Sequence, residues 1–307
     1  MCIRDSHKVT ASAIAKEIGI LTPGTEAVEG AVIESMSDEE LREFVPRVSV
    51  YARVSPEHKI RIVRAWQERG NLVAMTGDGV NDAPALKQAD IGVAMGITGT
   101  DVTKNVADMV LADDNFATIV GAVGEGRRIY DNIRKAIQFL LASNMSEVLG
   151  VFVATLLGFT LMNPVHLLFI NLITDCFPAL ALGLEKGEPD VMERPPRPSD
   201  DGIFAGGLGW DIAYQGILIT VITLVSYIIG HCMEVGYFEM PKGVSDDGMT
   251  MAFLTMSMCE IFHSFNMRSQ RGSIFTLHSM NKTLNWAALG SLIATTLVCE
   301  VPFIANA

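Results

Sequence analysis

The densest group of chemically capable residues lies in one short loop, Thr76-Gly77-Asp78-Gly79-Val80-Asn81-Asp82. It follows the apolar run 72–75, which is typical of a strand, so Asp78 and Asp82 would project from a strand end. Two carboxylates on a glycine-rich loop supply the hard oxygen ligands that Mg²⁺ prefers. The glycines also let the backbone approach a phosphate. A merely acidic loop would explain the aspartates but not the whole string, which predicts a site that handles magnesium and phosphate.

A second polar group interrupts the apolar C-terminal half. Its members are Asn144, Glu147, Asn171, Thr174 and Asp175, which fall into two sets that each share a helix face. A carboxylate at membrane depth is costly, so it usually faces an ion pathway or a partner. Pro178 removes the helical hydrogen bond to the carbonyl of Thr174, and that carbonyl can then serve as a ligand. The group predicts a hard-cation site, with polar contact between helices as the alternative.

Composition limits the class of protein. The chain has 307 residues, 49% of them hydrophobic, and a mean hydropathy of +0.32, which is too apolar for an ordinary soluble protein. The net charge of −12 argues against a nucleic-acid partner. Five scattered cysteines indicate neither a disulfide framework nor a zinc site. Cys176, next to Asp175, leaves a soft-metal site as an alternative. The polar N-terminal region has no signal-peptide pattern.

Alternating strands and helices position the loop. We predict helices at 7–20, 37–44, 55–69 and 83–88, and strands at 48–54, 72–75, 91–95 and 109–111. Ser55 followed by Pro56 is typical of a helix start. The alternation predicts an α/β parallel-sheet domain over residues 7–125. Because sites in such sheets lie at the carboxyl ends of the strands, Asp78 stands where a site is expected.

Residues 126–307 are predicted to form an all-α transmembrane domain. We predict five spans, near 137–161, 165–184, 208–230, 249–267 and 285–304. Lysine and arginine cluster before the first span, between the second and third, and between the fourth and fifth. The positive-inside rule then places the α/β domain in the cytoplasm. We therefore expect an integral protein of the cell membrane, in contact with lipid.

The loop string and the Ala83-Pro84-Ala85-Leu86 that follows it closely resemble the hinge motif of P-type ATPases, which pass a phosphoryl group through an aspartate to move ions. Residues 7 to about 125 resemble the haloacid-dehalogenase-like phosphorylation domain of that family. The resemblance implies that Lys59 neutralises the phosphoryl group, that Asp78 holds Mg²⁺ and that Asp82 supports it. It also implies contacts with ATP or its phosphates for Arg53, Lys59, Thr76, Gly77 and Asn81. Phosphoryl transfer needs positioning and charge compensation, which suits these residue types.

The family's phosphorylated aspartate lies in Asp-Lys-Thr-Gly-Thr, a string that the 307 residues do not contain. The resemblance covers only the C-terminal third of a pump, without its nucleotide-binding domain. We therefore expect this chain alone to be unable to form the aspartyl phosphate or hydrolyse ATP. Arg4-Asp5-Ser6 stands where the family has Thr-Gly-Asp. We interpret residues 1–6 as an artefact or a divergent start.

Segments 143–148 and 171–175 closely match the ion-binding spans of type II, calcium-transporting P-type ATPases. The match implies that the five polar residues of the second group bind the transported cation. In calcium pumps a glutamate on a later span completes a second site. Ser257 stands at that position here, and Glu260, three residues on, is a possible substitute. One or two ions per cycle therefore both stay open.

These observations predict ATP-driven transport, with Ca²⁺ as the first choice of ion, Mg²⁺ and ATP as cofactors, and no obligate protein partner. A pump of the same superfamily for Na⁺, H⁺ or Mn²⁺ is one alternative. A membrane-anchored phosphatase is a second, although an anchor needs no buried carboxylates. A non-enzymatic pseudo-pump is the third.

Overall fold

The computed structural model describes residues 7–198, 201–270, 272–274, 277 and 279–300, together with the backbone of Cys2–Ile3. The chain divides into two compact units, Met1–Ala122 and Val123–Ala307. The side chains of residues 1–6, which we interpreted as an artefact or a divergent start, lie outside the described residues. The last four positions of the fifth predicted span, 301–304, also lie outside them.

The first unit contains two three-stranded sheets, and all of their strands are parallel. One sheet has the order β1–β3–β2, with β1 at Cys2–Ile3, β2 at Glu26–Glu29 and β3 at Val48–Ala52. The other has the order β4–β5–β6, with β4 at Ala74–Gly77, β5 at Ile91–Met95 and β6 at Met109–Leu111. The predicted parallel-sheet α/β architecture is confirmed.

Six short helices accompany these strands: α1 (Lys8–Glu17), α2 (Gly30–Glu34), α3 (Asp38–Phe44), α4 (Pro56–Glu68), α5 (Ala83–Gln88) and α6 (Asp101–Val106). Ser55 caps α4 as predicted, because its hydroxyl accepts the His58 N–H at 3.2 Å and Pro56 takes the first helical position. The predicted helix 7–20 ends at Glu17, because Gly19 adopts a left-handed φ of +76°. The strand β2 and the helices α2 and α6 were not predicted.

The second unit is helical. Its helices are α7 (Phe116–Leu157, which begins in the first unit), α8 (Pro164–Phe169), α9 (Cys176–Gly183), α10 (Leu208–Val235), α11 (Asp246–Asn266) and α12 (Lys282–Glu300). A π-helix, Ile170–Asp175, joins α8 to α9. The first predicted span continued to residue 161, but α7 ends at Leu157, because Gly158 has a φ of +89°.

Three helical stretches are long and apolar enough to cross a membrane: Phe116–Leu157, Pro164–Gly183 and Ala205–Val235. They overlap the first three predicted spans, but positions 158–161 of the first and 184 of the second lie outside them. The fourth and fifth predicted spans coincide with α11 and α12, which do not reach the same apolarity within the described residues. Helix α11 contains Asp246, Asp247 and Glu260, which lowers its hydropathy. A count of five spans therefore stays a prediction.

Candidate functional site

In the first unit, the loop after β4 brings Lys59 and Asp82 together. The Nζ atom of Lys59, on α4, lies 2.5 Å from Oδ1 of Asp82, and each residue is only 8% exposed. Asp82 closes a single 3₁₀ turn, Val80–Asp82, in which its N–H donates to the carbonyl of Gly79 at 2.8 Å. A buried carboxylate is stable only with a partner, and the ammonium of Lys59 is that partner here.

Gly77 makes this arrangement possible. A Cβ at position 77 would lie 2.4 Å from the Cβ of Asp82, so any side chain there would displace the carboxylate. A Cβ at Gly79, by contrast, would come no closer than 3.8 Å to Asp82, which is an ordinary contact. The two glycines of the loop therefore differ. At position 77 the close approach of Asp82 requires glycine, whereas position 79 has room for a side-chain carbon.

Asp78 presents its side chain to solvent at the carboxyl end of β4. Its carbonyl accepts the N–H of Thr100 at 3.0 Å. Thr100 ends the loop 96–100 that follows β5, and β4 and β5 pair in parallel with Gly77 opposite Ala94. The two loops are therefore neighbours at the carboxyl edge of the sheet, where a site was expected.

Asp114, which we did not single out from the sequence, holds the loop 96–100. Its carboxylate accepts the N–H of Ile97 at 2.9 Å and both the N–H and the hydroxyl of Thr98 at 2.8 Å. These hydrogen bonds, that of Ile97 first, lower the pKa of Asp114 from 3.8 to about 2. The backbone of Asp114 has a φ of +49°, an unusual conformation for a residue other than glycine. Its position just after a strand was the available signal.

The other predicted phosphate-site residues are placed less tightly. Arg53 follows β3 with a left-handed φ of +52°, and its side chain is exposed. Its carbonyl packs against Gly30, where a Cβ would lie 2.4 Å from the Arg53 oxygen. Asn81 is exposed and Thr76 is half-buried. Their contacts with nucleotide or phosphate stay predictions.

The donor set at this edge fits Mg²⁺. Asp78 offers an exposed carboxylate without an ion pair among the described residues, and hard oxygen ligands of this kind are those that Mg²⁺ takes. Asp82 lies four residues away, and Lys59 already balances its charge at one oxygen. Of the two carboxylates, Asp78 is the one free to bind a metal ion.

In the second unit, three carboxylates lie among the helices. Glu147 on α7 is 7% exposed, Asp175 at the end of the π-helix is 1% exposed, and Glu260 on α11 is fully buried. Both carboxylate oxygens of Glu147 accept the side-chain amide of Asn171 at 2.8 Å. The sequence predicted Glu147, Asn171 and Asp175 for one site, and the structure brings Asn171 into contact with Glu147.

Ser143 and Thr174 join Asp175 to Glu260. The hydroxyl of Ser143 lies 2.7 Å from Oδ2 of Asp175 and 2.5 Å from Oε1 of Glu260. The hydroxyl of Thr174 lies 2.9 Å from Oε2 of Glu260 and 2.8 Å from the carbonyl of Ile170. We call these four residues, Ser143, Thr174, Asp175 and Glu260, the carboxylate cluster. Ser143 was not predicted as a site residue.

Asn144 lies outside this arrangement. Its side chain is exposed and donates to the carbonyl of Leu140, one turn back, at 2.7 Å. The buried residues of this part of α7 are Ser143, Ser146, Glu147 and Gly150, at the i, i+3, i+4, i+7 spacing of one helix face. That spacing of small residues around Glu147 was the signal for Ser143. A ligand role for Asn144 stays a prediction, and its one hydrogen bond among the described residues, to Leu140, does not bear on it.

The π-helix sets the positions of Thr174 and Asp175. A π-turn widens the helix locally and changes which residues share a face, and such turns are frequent at functional sites. The release of the Thr174 carbonyl by Pro178, which lies in α9 after the π-helix, stays a prediction. The hydroxyl of Ser291 on α12 donates to the Ile173 carbonyl at 2.8 Å. Thr174 contributes its hydroxyl to the cluster.

Two other carboxylates of the helical unit, Glu185 and Glu188, have cationic partners. Glu185 is paired with Arg268 at 3.0 Å and accepts the amide of Asn281 at 2.8 Å. Glu188 is paired with Lys135 at 3.2 Å and with Arg194 at 3.1 Å. In the part of the chain that the structure describes, Glu147, Asp175 and Glu260 form no ion pair; their partners are hydroxyls and an amide.

Among the described residues, no three His, Cys, Asp or Glu side chains form a group that could hold a metal ion, whether through sulfur, nitrogen or oxygen. Asp175 and Glu260 therefore form a pair, and Glu147 stands beside them with Asn171. Cys176, the residue on which a soft-metal site would depend, is exposed and free. The chemistry that the cluster offers is that of oxygen ligands.

Comparison with known proteins finds separate matches for the α/β unit and for the helical unit. Residues 159–307 match the family model for the C-terminus of cation-transporting ATPases, and residues 3–90 and 61–122 match models of haloacid dehalogenase-like hydrolases. The chain is 46% identical to "Calcium-transporting ATPase 1" of Bacillus cereus, over 99% of this chain and 35% of that protein. It is 47% identical to "Calcium-transporting ATPase" of Bacillus subtilis, over 97% of this chain and 32% of that protein. It is 39% identical to the human "Calcium-transporting ATPase type 2C member 1", over 98% and 32%. The chain spans about a third of the length of the curated relatives it matches.

Proposed function

Because this chain belongs to the cation-transporting P-type ATPase family, we propose that it is part of an ATP-driven calcium pump that works through an aspartyl phosphate. The observation that carries the proposal is the group of buried carboxylates, Glu147 and Asp175 above all, in helices apolar enough to cross a membrane. Carboxylates at membrane depth without an ion pair are expected on an ion pathway. The relatives named as calcium-transporting support Ca²⁺ as the ion.

The first unit would handle the phosphoryl group. Lys59 would neutralise its charge, and the pair with Asp82 keeps the ammonium in place until the phosphoryl group arrives. Asp78 would hold Mg²⁺, whose charge, when bound, offsets that of the transferring oxygens. Arg53 and Asn81, both exposed, would reach nucleotide or phosphate. Thr76 and Gly77 would let the backbone come close to it.

The second unit would carry the cargo. Ca²⁺ takes six to eight oxygen ligands in irregular geometry, whereas Mg²⁺ wants a tight octahedron. The carboxylate, hydroxyl and amide oxygens of α7 and the π-helix suit the irregular coordination of Ca²⁺. In the predicted topology the protein lies in the cell membrane with its α/β unit in the cytoplasm. The phosphate loop would then be on the side of the membrane where ATP is found.

The test is a chimaeric pump in which this chain replaces the matching segment of a full-length relative. We expect Asp175→Asn to remove Ca²⁺-activated phosphorylation from ATP and to spare phosphorylation from inorganic phosphate. The first reaction needs the transport site filled and the second needs it empty. Asn keeps the volume and loses the charge, so damage to packing should be small.

The matched control is Asp211→Asn, a half-buried aspartate in the first turn of α10, which should leave both reactions unchanged. The calcium assignment is wrong if Asp175→Asn retains Ca²⁺ activation. It is also wrong if only Na⁺ or Mn²⁺ activates the parent chimaera. In the second case, cation transport would survive and the identity of the ion would change.

A further inference from the structure

Helix α10 has hydroxyl groups on its buried side and an apolar exposed side, which we call its outer face. The buried positions include Thr220, Thr223 and Ser226. The exposed residues of the middle of the helix are all apolar: Ile217, Leu218, Val221, Ile222, Val225, Ile229 and Met233. This outer face extends for about 24 Å along the helix axis. An exposed apolar surface of that length is unfavourable in water, so something apolar must cover it.

Large aromatic side chains lie at both ends of the outer face of α10. Trp210, in the first turn, is 82% exposed, and Tyr237 and Phe238 are exposed just after the helix ends at Val235. At the rise of a helix, about 40 Å separates Trp210 from Tyr237. A bilayer with its headgroup layers is about 40–45 Å thick. Tryptophan and tyrosine are enriched at both surfaces of a bilayer, because each combines an apolar ring with a polar tip.

Helix α12 repeats this pattern. Its buried positions include the hydroxyl-bearing Ser291 and Thr295, whereas its exposed large side chains are Trp286, Leu289, Leu292, Ile293 and Leu297. Thr296 is exposed, but its hydroxyl donates to the carbonyl of Leu292 at 2.8 Å, so it needs no partner outside the helix. Trp286 is 72% exposed near the helix start. The outer face of α12 therefore suits lipid, although its overall apolarity is lower than that of α10.

The tryptophans of α10 and α12 lie at a similar level of the helical unit. Arg134 of α7 donates to the carbonyl of Ala205 at 2.6 Å, five residues before the tryptophan of α10. Asn132 of α7 donates to the carbonyl of Glu185 at 2.7 Å. The carboxylate of Glu185 accepts the amide of Asn281 at 2.8 Å, five residues before the tryptophan of α12. The two attachment points on α7 are only about 3 Å apart along its axis.

We propose that Trp210 and Trp286 lie in one interface of a phospholipid bilayer and that Tyr237 and Phe238 lie in the opposite interface. The lipid chains then cover the outer faces of α10 and α12, and both helices cross the membrane. The indole N–H groups donate to lipid ester carbonyls while the rings pack on the first methylene groups of the chains. This inference goes beyond the proposed transport function, because it assigns the lipid-contacting surface and the depth of each helix.

The experiment measures tryptophan fluorescence of the full chain in phosphatidylcholine vesicles. The chain has three tryptophans, Trp66, Trp210 and Trp286, so replacing two by phenylalanine leaves each in turn as the only emitter. Phosphatidylcholine brominated near the glycerol (shallow) or near the chain end (deep) quenches tryptophan at its own depth. We expect Trp210 and Trp286 each to lose more fluorescence to the shallow bromine than to the deep one. Trp66, on α4 of the α/β unit, is the control and should be quenched by neither.

Two introduced tryptophans, each in a chain whose own three are phenylalanine, test whether the helices cross. Val225→Trp on α10 lies about 22 Å along the axis from Trp210, close to the middle of a bilayer about 40–45 Å thick. Leu297→Trp on α12 lies about 16 Å from Trp286. We expect the deep bromine to quench both more strongly than the shallow one. In the unsubstituted chain, the shallow lipid should leave the emission of Trp66.

Weak quenching of Trp210 and Trp286 by both lipids overturns the inference. Aqueous acrylamide then distinguishes exposure to water, in which it quenches them, from cover by a partner protein, in which it does not. Stronger shallow than deep quenching of Leu297→Trp shows that α12 lies along the membrane surface, which overturns its assignment as a span. The measurement needs neither Ca²⁺ nor ATP, so its failure leaves the proposed function standing, and loss of the calcium assignment leaves this inference standing.

Discussion

Certain buried carboxylates of the two units differ in whether a positively charged side chain is paired with them. In the first, Asp82 has the ammonium of Lys59 at 2.5 Å, so the charge is balanced by the chain itself. In the second, the partners of Asp175 and Glu260 among the described residues are hydroxyls, although both carboxylates are more deeply buried than Asp82. Desolvation makes an unbalanced pair costly. The difference is that a lysine of the chain balances the buried charge of Asp82, whereas no lysine or arginine among the described residues pairs with Asp175 or Glu260.

The helical unit contains its own internal comparison. Glu185, as deeply buried as Asp175, is held by Arg268 and Asn281. Burial alone therefore does not identify a transport site. What distinguishes Asp175 and Glu260 is burial without a charged partner, and the predictions that follow are ways to test that distinction.

The largest effect should come from Lys59→Met. It removes the charge that would neutralise the phosphoryl group and leaves Asp82 buried without a partner. We expect phosphorylation of the chimaeric pump to fall by on the order of 10²- to 10³-fold, from ATP and from inorganic phosphate alike. Lys87→Met, an exposed lysine on α5, is the control. Loss of the ATP reaction alone would contradict a role for Lys59 at the phosphoryl group.

Arg268→Met should affect stability instead of ion binding. It leaves Glu185 buried and unpaired, which typically costs about 3–5 kcal/mol. We expect a lower unfolding midpoint in denaturant for the full chain and no change in the Ca²⁺ concentration that gives half-maximal phosphorylation of the chimaera. A loss of Ca²⁺ activation like that expected for Asp175→Asn would remove the distinction between paired and unpaired carboxylates.

Gly77→Ala should have a smaller effect. The new methyl group would meet the Cβ of Asp82 at 2.4 Å, and overpacking of this kind costs about 1–3 kcal/mol. Gly79→Ala meets nothing closer than 3.8 Å and should change the free energy of unfolding of the first unit less. Equal effects of the two substitutions would show that the loop relaxes and that Asp82 is not fixed.

The smallest expected effect is the loosening of the loop 96–100 at low pH. The hydrogen bonds to Asp114 lower its pKa from 3.8 to about 2, so its stabilising contribution is present above about pH 4 and is lost as the pH falls towards 2. After correction for intrinsic exchange, amide hydrogen exchange in residues 96–100 should accelerate over that range. Asp114→Asn should exchange faster at neutral pH and respond less to acid, whereas the exposed Asp101→Asn should follow the parent. Identical pH profiles for Asp114→Asn and the parent would exclude Asp114 as the group that holds the loop.

Most elements of the first unit could be predicted from the sequence because their signals are local. Ser55 and Pro56 begin α4, apolar runs form β4, β5 and β6, and parallel pairing then places Asp78 at the sheet edge. Strand β2 and helix α2 were missed, because segments of four and five residues are too short for a clear period. Asp114 was missed because its function depends on a loop 16 residues away in the chain.

The helical unit was harder to predict because face assignments assume a regular helix. Asn144 and Glu147 are three apart, which made them look like neighbours, but the buried face of α7 passes through Ser143 and Glu147, four apart. Sequence placed the break of the next helix at Pro178, whereas the structure has a π-turn upstream of it. The contact of Glu260 with Ser143 joins residues 117 positions apart, and no local pattern encodes it.

The central claim is that the carboxylate cluster binds a hard divalent cation, since no described lysine or arginine pairs with its carboxylates. Equilibrium binding of radioactive Ca²⁺ to the chimaeric pump, without ATP and with Mg²⁺ in excess, tests it most directly. The account predicts saturable binding that Asp175→Asn abolishes and that Asp211→Asn leaves intact. Undiminished Ca²⁺ binding in Asp175→Asn would contradict the claim. So would displacement of the radioactive Ca²⁺ by Mg²⁺ as readily as by unlabelled Ca²⁺.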